Sequence, residues 1–347
     1  MARLFLHIGA HKTATSYLQG LFHHNRKTLA KAGLHYPLIG PNNAHHALAA
    51  SWIDLPDLPA DFFGTGGPDA LWDNAILHPY ARQPGTLFLS AENFSRFHPK
   101  RVDMADLARR LEVFDEVRVI YTARSQTDML ASLWAQVARS RKAPTLKSYL
   151  ERVFSTGMGG GVSLDHHAVY HHLRTGFAPE QILLLDYEQI RNHPGGVAQS
   201  FLDLMGIPLS ASDLKAPPRN AQNISPDFLS LWLACQICRD GPPPDDLVAM
   251  AMAILHPEQI RPTTVLSQRE YARIRSKFRD GNARLSESVA KWQPEFQFDP
   301  PPAPEGLIYR DQVPPHVWPQ IAATLWEGQR KGSLRRLLDR AVGRLAD

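Results

Sequence analysis

The sequence predicts an α/β fold, in which a central, mainly parallel sheet is flanked by helices and followed by a helical C-terminal extension. Four short runs are almost continuously apolar, as strands covered on both faces are. The runs are 3–8 (RLFLHI), 86–90 (TLFLS), 117–122 (VRVIYT) and 182–186 (ILLLD). Helical patterns separate these runs. Because strands alternate with helices, we expect a mainly parallel sheet.

The helical patterns also suggest how the chain is divided. We expect helices at 15–32, 103–114, 126–142, 194–205, 226–239, 245–255 and 267–291. Clear strands end before residue 217. The sequence therefore predicts an α/β core over 1–216, with a loop insert at about 35–85, and a mostly helical extension over 217–347 that packs on the core as one combined domain. The last segment, 330–346, has a basic amphipathic pattern, which fits self-association, docking on the body or binding to an acidic surface.

Composition and charge limit the classes of protein. Of the 347 residues, 44% are hydrophobic, which is enough for a large core and excludes global disorder. The 38 Lys and Arg exceed the 34 Asp and Glu by only four, a surplus too diffuse to predict nucleic-acid binding. No apolar stretch reaches the ~18 residues of a membrane span, and the N-terminal apolar run is too short for a signal peptide. We expect a soluble, cytoplasmic protein without a membrane span.

The only cysteines are Cys235 and Cys238, in an apolar segment with a helical pattern. A redox pair of this spacing normally begins a helix after a strand, and a zinc knuckle needs a second ligand pair. The sequence offers neither context. We expect two core or half-buried thiols in a reducing compartment.

The stretch 3–22 (RLFLHIGAHKTATSYLQGLF) is the most informative part of the chain. A buried strand leads into a short polar loop and then directly into a helix, which places free backbone N–H groups and the positive end of the helix dipole at the loop. Lys12 adds a positive charge, and Thr13, Thr15 and Ser16 add hydroxyl donors. The stretch predicts a phosphate site. The alternative is that Thr13 caps the helix and Lys12 is a surface charge.

This loop differs from the phosphate loop of ATPases and GTPases, G-x-x-x-x-G-K-[ST]. Lys12 follows Gly9 by only three residues and precedes the hydroxyl pair, and Ala14 stands where a second glycine would be. A nucleotide kinase or another phosphoryl transferase is therefore disfavoured and is kept as an alternative.

The order Lys12-Thr13-Ala14-Thr15-Ser16-Tyr17 resembles the 5′-phosphosulfate loop, K-[ST]-G-T-[TS], of sulfotransferases that use 3′-phosphoadenosine 5′-phosphosulfate (PAPS). Ala14 departs from the usual glycine. The resemblance implies a P-loop-like nucleotide-binding core, in which Lys12 and the backbone and hydroxyl groups that follow it hold the 5′-phosphosulfate.

A second element stands after the strand at 117–122, where Arg124 is followed eight residues later by Ser132. An Arg at a strand end and a Ser two turns into the next helix can converge on one anionic group, at the edge where open α/β sheets bind ligands. Taken singly, they would be a surface ion pair and a solvated hydroxyl. In the family this pair binds the 3′-phosphate of PAPS, and Tyr187 stands where the family places a residue that lines the nucleotide.

Further segments extend the resemblance over most of residues 3–290. The segment 182–208 is similar to the family's YE-x-[LI] … FL-x-x-x-G pattern, and 219–225 (RNAQNIS) to the loop that follows it. Residues 269–289 resemble the tail helix of bacterial members. Asp186 would also suit a Walker B carboxylate, although its Walker A partner is missing.

The resemblance implies transfer of the sulfuryl group from PAPS to a hydroxyl or amine of an unknown acceptor, with PAP as product and no metal required. Lys12 is expected to stabilise the bridging oxygen as it becomes an oxyanion. Glu92, which follows the strand at 86–90, is the first candidate for the base that deprotonates the acceptor, and His11 is the second. His7 is expected to pack within its strand. A charge at a helix N-terminus is the alternative interpretation of Glu92.

The acceptor side is less well defined by the sequence. We expect it to include the insert, with Trp52 and Trp72, and a mobile Gly-rich loop at 155–167, because three consecutive glycines cannot pack a core. Histidine pairs at 166–167 and 171–172 lack a carboxylate or cysteine to complete a metal site. Carbohydrate, lipid-linked sugar and small hydroxylated metabolites are all acceptable acceptors. A PAP(S)-binding protein without turnover is the remaining alternative.

Overall fold

The structure is a computed structural model that describes residues 1–59, 61–140, 144–217, 227–238 and 241–328. These residues form two compact units. The first contains the described residues of Met1–Leu133, Thr145–Ser225 and Arg273–Pro301, and the second those of Trp134–Pro144, Pro226–Ala272 and Pro302–Asp347. Residues 273–301 thus group with the first unit, and the division of the chain near residue 216 stays a prediction.

The first unit contains a sheet of five strands and a separate two-stranded antiparallel hairpin, which lies between the last two sheet strands in the sequence. The strands are β1 (Ala2–His7), β2 (Leu34–His35), β3 (Gly85–Ser90), β4 (Glu116–Ala123), the hairpin strands β5 (Met158–Gly159) and β6 (Val162–Ser163), and β7 (Ile182–Asp186). The order in the sheet is β2-β3-β1-β4-β7, and every neighbouring pair is parallel. The predicted α/β fold class is confirmed, and the four predicted strands correspond to β1, β3, β4 and β7.

Each predicted helix has a counterpart in the structure, with one break, and further helices lie outside the predicted ranges. They are α1 (Thr15–His24), α2 (Arg26–Lys31), α3 (Gly67–Trp72), α4 (His78–Tyr80), α5 (Met104–Leu111), α6 (Gln126–Ser140), α7 (Leu146–Thr156), α8 (His166–Leu173), α9 (Tyr187–Arg191), α10 (Gly196–Leu204), α11 (Phe228–Ile237), α12 (Asp245–Leu255) and α13 (Gln268–Val289). The helices outside the predicted ranges are α3, α4, α7, α8 and α9, and residues 317–328 are also helical. The single helix predicted at 15–32 is wrong, because the chain leaves helical geometry at Asn25, whose side-chain amide donates to the carbonyls of Leu21 and Lys215.

Buried apolar side chains pack around β1 and β3, the strands that precede loops of the candidate site. Phe5 of β1 and Phe88 of β3 are buried with Phe22 of α1 and Phe201 of α10. The rings of Phe22 and Phe201 meet Phe88 edge to face at 5.4 and 5.8 Å. A fully buried Phe contributes roughly 1.5–3 kcal/mol, so this cluster fixes the strand ends from which the next loops start.

The sheet brings the two predicted anion-binding segments to adjacent positions. β1 and β4 are neighbours, with His7 opposite Ile120. Beyond the strands the pairing continues, since the Ala10 N–H donates to the Thr122 carbonyl at 3.2 Å. The chain leaves β1 towards β2 and β3 on one side and leaves β4 towards β7 on the other. Such a divergence point, at the carboxyl ends of parallel strands, is where open α/β sheets bind ligands.

The second unit is helical in its described residues. Its core contains Leu229 and Leu233 of α11, Leu255 of α12, and Ile308 and Ile321. Cys235 and Cys238 are free and half-buried, as the sequence predicts. Burial raises the pKa of Cys235 to about 11, so this thiol is not activated.

Two predicted features fall outside the described residues. They are the amphipathic segment 330–346 and the loop at 219–225. In the part of the chain that is described, no helix is both long and apolar enough to cross a membrane.

Candidate active site

The loop between β1 and α1 has an unusual backbone. Lys12 and Ala14 have φ angles of 73° and 58°, and they are the only non-glycine residues with positive φ among those described. The left-handed region costs a residue with a side chain about 1–2 kcal/mol. Strain of this kind persists where the surrounding structure enforces it, and it clusters at functional sites. Ala14 therefore keeps the conformation that a glycine would adopt at the same place.

The hydroxyl groups of the loop have distinct surroundings. Thr13 and Thr15 are each 2% exposed. The Thr13 hydroxyl donates to the Ala10 carbonyl at 2.8 Å, and the Thr15 hydroxyl bonds to the Glu92 carboxylate. Ser16 and Tyr17 lie on the exposed side of α1, with Tyr17 47% exposed.

The N-terminus of α1 carries no side-chain cap and no acidic residue in its first turn. Its N–H groups are therefore oriented for an external acceptor, and the partial positive charge of the helix end is not offset locally.

The predicted second element meets this loop. Arg124 follows β4, and Ser132 lies in α6 with 6% exposure. One Arg124 nitrogen, Nη1, donates to the backbone carbonyl of Lys12 and, at 3.4 Å, to the Ser132 hydroxyl. The guanidinium carbon lies 5.1 Å from the centre of the Tyr187 ring. The structure thus brings Lys12, Arg124, Ser132 and Tyr187 together.

Asp128 is a member of this cluster that the sequence reasoning missed. It stands on α6 one turn before Ser132, half-buried. Burial raises the pKa of the Asp128 carboxyl, whereas Arg124, Arg191 and Arg275 act against that rise. Its spacing of four residues from both Arg124 and Ser132 is the signal in the sequence that identifies it.

Glu92 and His11, the two candidates for the base, contact each other. His11 Nδ1 lies 3.3 Å from Glu92 Oε2, and the two side chains are 13% and 18% exposed. Burial alone would raise the pKa of Glu92. The charge and hydrogen bond of His11, the hydroxyl of Thr15 and the charge of His46 outweigh burial and lower it to about 2. Glu92 is therefore ionised at neutral pH.

Two further histidines border Glu92. His46 comes from the insert and is half-buried, and burial lowers its pKa while Glu92 acts to raise it. His7 lies within β1 as expected, and burial lowers its pKa to about 4. Its Nδ1 is 3.0 Å from the Ser90 hydroxyl, and its ring meets Phe201 edge to face at 4.8 Å. The sequence gives no signal for His46, because its position depends on the path of the insert.

Asp186 has a structural role at the end of β7. Its carboxylate accepts the Glu188 N–H at 2.9 Å and caps α9. Burial raises its pKa. The comparison with a Walker B carboxylate is therefore not needed to explain this residue.

Two expectations for the acceptor side are wrong. Trp72 is 0% exposed and its ring N–H donates to the Leu48 carbonyl, while Trp52 packs against Trp72 and donates to Asp106. These indoles pack on each other instead of lining a wall, with Trp72 buried and Trp52 half-buried, and each ring N–H has a partner within the protein.

The Gly-rich segment contains a hydrogen-bonded hairpin where the sequence predicts a loop. β5 and β6 pair across Gly160 and Gly161, which have positive φ. The Gly161 carbonyl accepts the N–H groups of Phe97 and His98 at 3.0 and 3.2 Å. A Cβ on Gly161 would lie 2.5 Å from the His98 carbonyl oxygen. The glycines therefore serve a tight turn and a close backbone approach.

The histidine pairs give no complete metal site. On α8, the Nε2 atoms of His167 and His171 lie 3.1 Å apart. His166 is buried with its Nδ1 2.7 Å from the Tyr121 hydroxyl. Within the described ranges, no three His, Cys, Asp or Glu side chains are grouped so as to hold a metal ion.

Comparisons with known proteins concern the same region. The sulfotransferase domain family matches residues 8–224 of this chain. Cytosolic sulfotransferase 3 of Arabidopsis thaliana is 26% identical over 153 residues, or 41% of this chain and 46% of that protein. The chain thus spans about half the length of this curated relative.

Solved structures with similar folds include two sulfotransferases. A crystal structure of a sulfotransferase from Alicyclobacillus acidocaldarius is 13% identical, with 84% of this chain and 99% of that chain covered and a TM-score of 0.45. The sulfotransferase domain from the curacin biosynthetic pathway is 12% identical, with 80% and 96% covered and a TM-score of 0.34.

Proposed function

Because this chain belongs to the sulfotransferase domain family, we propose that it transfers the sulfuryl group of PAPS to a hydroxyl or amine of an acceptor and releases PAP. The observation that carries the proposal is the meeting of two segments far apart in the chain. Arg124 bonds both to the backbone of the Lys12 loop and to Ser132. Two cationic groups therefore stand at one edge of the sheet, suited to a nucleotide with a phosphate at each end.

The loop after β1 would hold the 5′ end of the donor. The N–H groups of α1 and the Ser16 hydroxyl would bind the 5′-phosphate, with Tyr17 beside them on α1. The hydroxyls of Thr13 and Thr15 would join them on rotating away from the Ala10 carbonyl and the Glu92 carboxylate. Ala14 supports this assignment because its left-handed backbone turns the chain directly into the helix. The positive end of the helix then lies where a phosphate binds most favourably.

Arg124 and Ser132 would hold the 3′-phosphate, and Tyr187 would line the nucleotide. The Nε atom of Arg124 is buried and has no hydrogen-bond partner among the described residues. A buried donor of this kind is costly when unpaired, and a phosphate oxygen would satisfy it. These residues would distinguish PAPS from nucleotides that lack a 3′-phosphate.

The chemistry assigned to the chain is an in-line displacement at sulfur. Glu92 takes the proton of the acceptor hydroxyl, and the acceptor oxygen forms a bond to sulfur. The bond between sulfur and the bridging oxygen breaks, and its electron pair stays on the 5′-phosphate of PAP. Lys12 stabilises that developing oxyanion. In this scheme Lys12 supplies the positive charge at the leaving group, and no metal ion takes part.

A thermal-shift titration tests the donor. We expect PAP to stabilise the protein more than AMP at equal concentration, because only PAP reaches both Lys12 and Arg124. A ligand present at 100 times its Kd contributes about 2.7 kcal/mol to the free energy of unfolding. Stabilisation by ATP but not by PAP would contradict the sulfotransferase assignment and favour a phosphoryl transferase.

Labelled-sulfate transfer tests the reaction. Purified protein is incubated with labelled PAPS and fractionated cell extract, and the labelled product identifies the acceptor. Lys12→Ala serves as the control for turnover. PAP binding without any transfer, in the wild type and against all fractions, would instead indicate a PAP-binding protein.

A further inference from the structure

The parallel register of the sheet explains why His11 and Glu92 meet. His7 of β1 is paired with Ser90 of β3. The chain continues four residues to His11 and two residues to Glu92, so both side chains extend beyond the same sheet edge. The Nδ1–Oε2 distance of 3.3 Å is that of an ion pair, slightly longer than an ordinary N–H···O hydrogen bond.

The surroundings of Glu92 have opposite effects on the pKa of its carboxyl group. Burial favours the neutral carboxyl, whereas His11, the Thr15 hydroxyl and His46 favour the carboxylate. His7 also lies within electrostatic reach, and Arg96 adds positive charge beside His46. The lowering groups prevail, and the pKa of Glu92 falls to about 2. Of the lowering groups, His11 has the largest effect.

His11 is placed to act through Glu92 and not on the acceptor itself. Its Nδ1 faces Glu92, while its Nε2 is buried and has no hydrogen-bond partner among the described residues. An acceptor hydroxyl would have to reach one of these two nitrogen atoms in order to lose its proton to His11. One is occupied and the other is enclosed, so Glu92 is the group left to contact the acceptor.

We propose that His11 is a positioning residue for Glu92: its Nδ1–H holds Oε2 and keeps the carboxylate ionised and correctly oriented to accept the acceptor's proton. This inference rests on the proposed function and separates the group that takes the proton, Glu92, from the group that holds it in place, His11. It also gives a role to the imidazole that immediately precedes Lys12 in the loop. The same loop then positions both the leaving-group cation and the base.

The inference has a consequence for pH dependence. Without His11, fewer groups oppose the effect of burial, and the Glu92 carboxyl gains a proton more readily. Loss of a neighbouring opposite charge changes a carboxyl titration by about 1–3 pH units. The acid limb of the activity profile should move upward by that amount. A residue with a merely structural role would lower activity by the same factor at every pH.

The first experiment needs neither PAPS nor an acceptor. Glutamate side-chain carboxyls are labelled with carbon-13, Glu92 is assigned by comparison with Glu92→Gln, and its titration is followed by NMR. We expect the Glu92 midpoint to rise by about 1–3 pH units in His11→Ala. His11→Asn keeps an N–H donor at the Nδ1 position without a titrating charge, and we expect a smaller rise. His171→Asn, an exposed histidine on α8, is the matched control and should leave Glu92 unchanged.

The second experiment measures labelled-sulfate transfer from PAPS into the active extract fraction between pH 3 and 9. We expect His11→Ala to lose activity as the pH falls at values where the wild type does not, and His11→Asn to recover part of the acidic activity. PAP should stabilise both variants as it does the wild type. Far-UV circular dichroism checks that each variant is folded.

The two failures are distinguishable. An identical Glu92 titration in the wild type, His11→Ala and His11→Asn, or pH profiles that differ only by a constant factor, would overturn the role of His11. Failure of the proposed function would appear in the wild type itself, as no stabilisation by PAP.

Discussion

The two ends of the candidate site would hold an anion by different means. At the loop after β1, the binding groups belong largely to the backbone, with two residues in left-handed conformations and an uncapped helix N-terminus. At the end of β4, they belong to side chains, namely Arg124 and Ser132 on regular elements. The loop end also contains the Glu92–His11 pair, whereas the carboxyl group at the other end, Asp128, lies within electrostatic reach of Arg124, Arg191 and Arg275. Under the proposed function, one end would perform the chemistry and the other would select the nucleotide.

The largest expected effect comes from removing the cation of the loop end. Lys12→Ala should lower sulfuryl transfer by about 10²–10³-fold, because the leaving oxyanion loses its charged partner. PAP should still stabilise the variant through Arg124. Labelled-sulfate transfer and thermal shift measure the two quantities, and Lys27→Ala, an exposed lysine on α2, is the control. Equal losses of transfer and of PAP binding would show that Lys12 acts in binding alone, and would contradict the assignment of the chemistry to the loop end.

The next effect concerns stability at acidic pH. The folded pKa of Glu92, about 2, lies below its ordinary value of 4.5, so the carboxylate stabilises the fold above pH 4.5 and loses this effect as the pH falls towards 2. The shift corresponds to no more than about 3 kcal/mol. Urea unfolding of the wild type and Glu92→Gln between pH 7 and 3 measures it. We expect the difference between the two proteins to shrink with falling pH, and a constant difference would contradict the ionised pair.

A smaller effect is expected at the other end. Arg124→Gln should weaken PAP binding by about 10–100-fold, which is 1.4–2.7 kcal/mol, and should weaken AMP binding less, because AMP loses only the support that Arg124 gives to the Lys12 loop. Isothermal titration calorimetry gives both dissociation constants. Arg109→Gln, on the exposed side of α5, is the matched control. Equal weakening of PAP and AMP would mean that Arg124 does not recognise the 3′-phosphate.

The smallest effect concerns the backbone of the loop. Ala14→Gly should stabilise the protein by about 0.5–1 kcal/mol, because glycine adopts a φ of 58° without the strain of a side chain. Ala30→Gly, within α2, should destabilise by a similar amount. Urea unfolding compares the two variants. Destabilisation by Ala14→Gly would show that the loop end is held less tightly than its φ angles suggest.

Much of this arrangement was predictable from the sequence. The continuous apolar runs identified β1, β3, β4 and β7, and the loop motif with the Arg124–Ser132 spacing identified the two ends of the candidate site. Local patterns sufficed because each of these elements is defined by neighbouring residues. β2 escaped notice because two residues carry no periodicity.

The missed features depend on contacts between distant segments. His46 reaches Glu92 only through the path of the insert, and the indoles of Trp52 and Trp72 pack on each other, which leaves Trp72 buried and Trp52 half-buried. The hairpin at 158–163 is fixed by the backbone of residues 96–98, which no local pattern reveals. The three consecutive glycines of this segment suggested a mobile loop, whereas hydrogen bonds from Phe97 and His98 hold it as a hairpin.

The bond from Arg124 to the Lys12 carbonyl makes the two ends interdependent. A guanidinium that fastens a peptide group of the loop transmits its own displacement to that loop. Substitutions at the two ends should then be non-additive in a double-mutant cycle. A redesign for a donor without a 3′-phosphate would have to keep the bond from Arg124 to the Lys12 carbonyl while removing the contact of Arg124 with the 3′-phosphate. Nucleotide preference and loop geometry therefore depend on the same side chain.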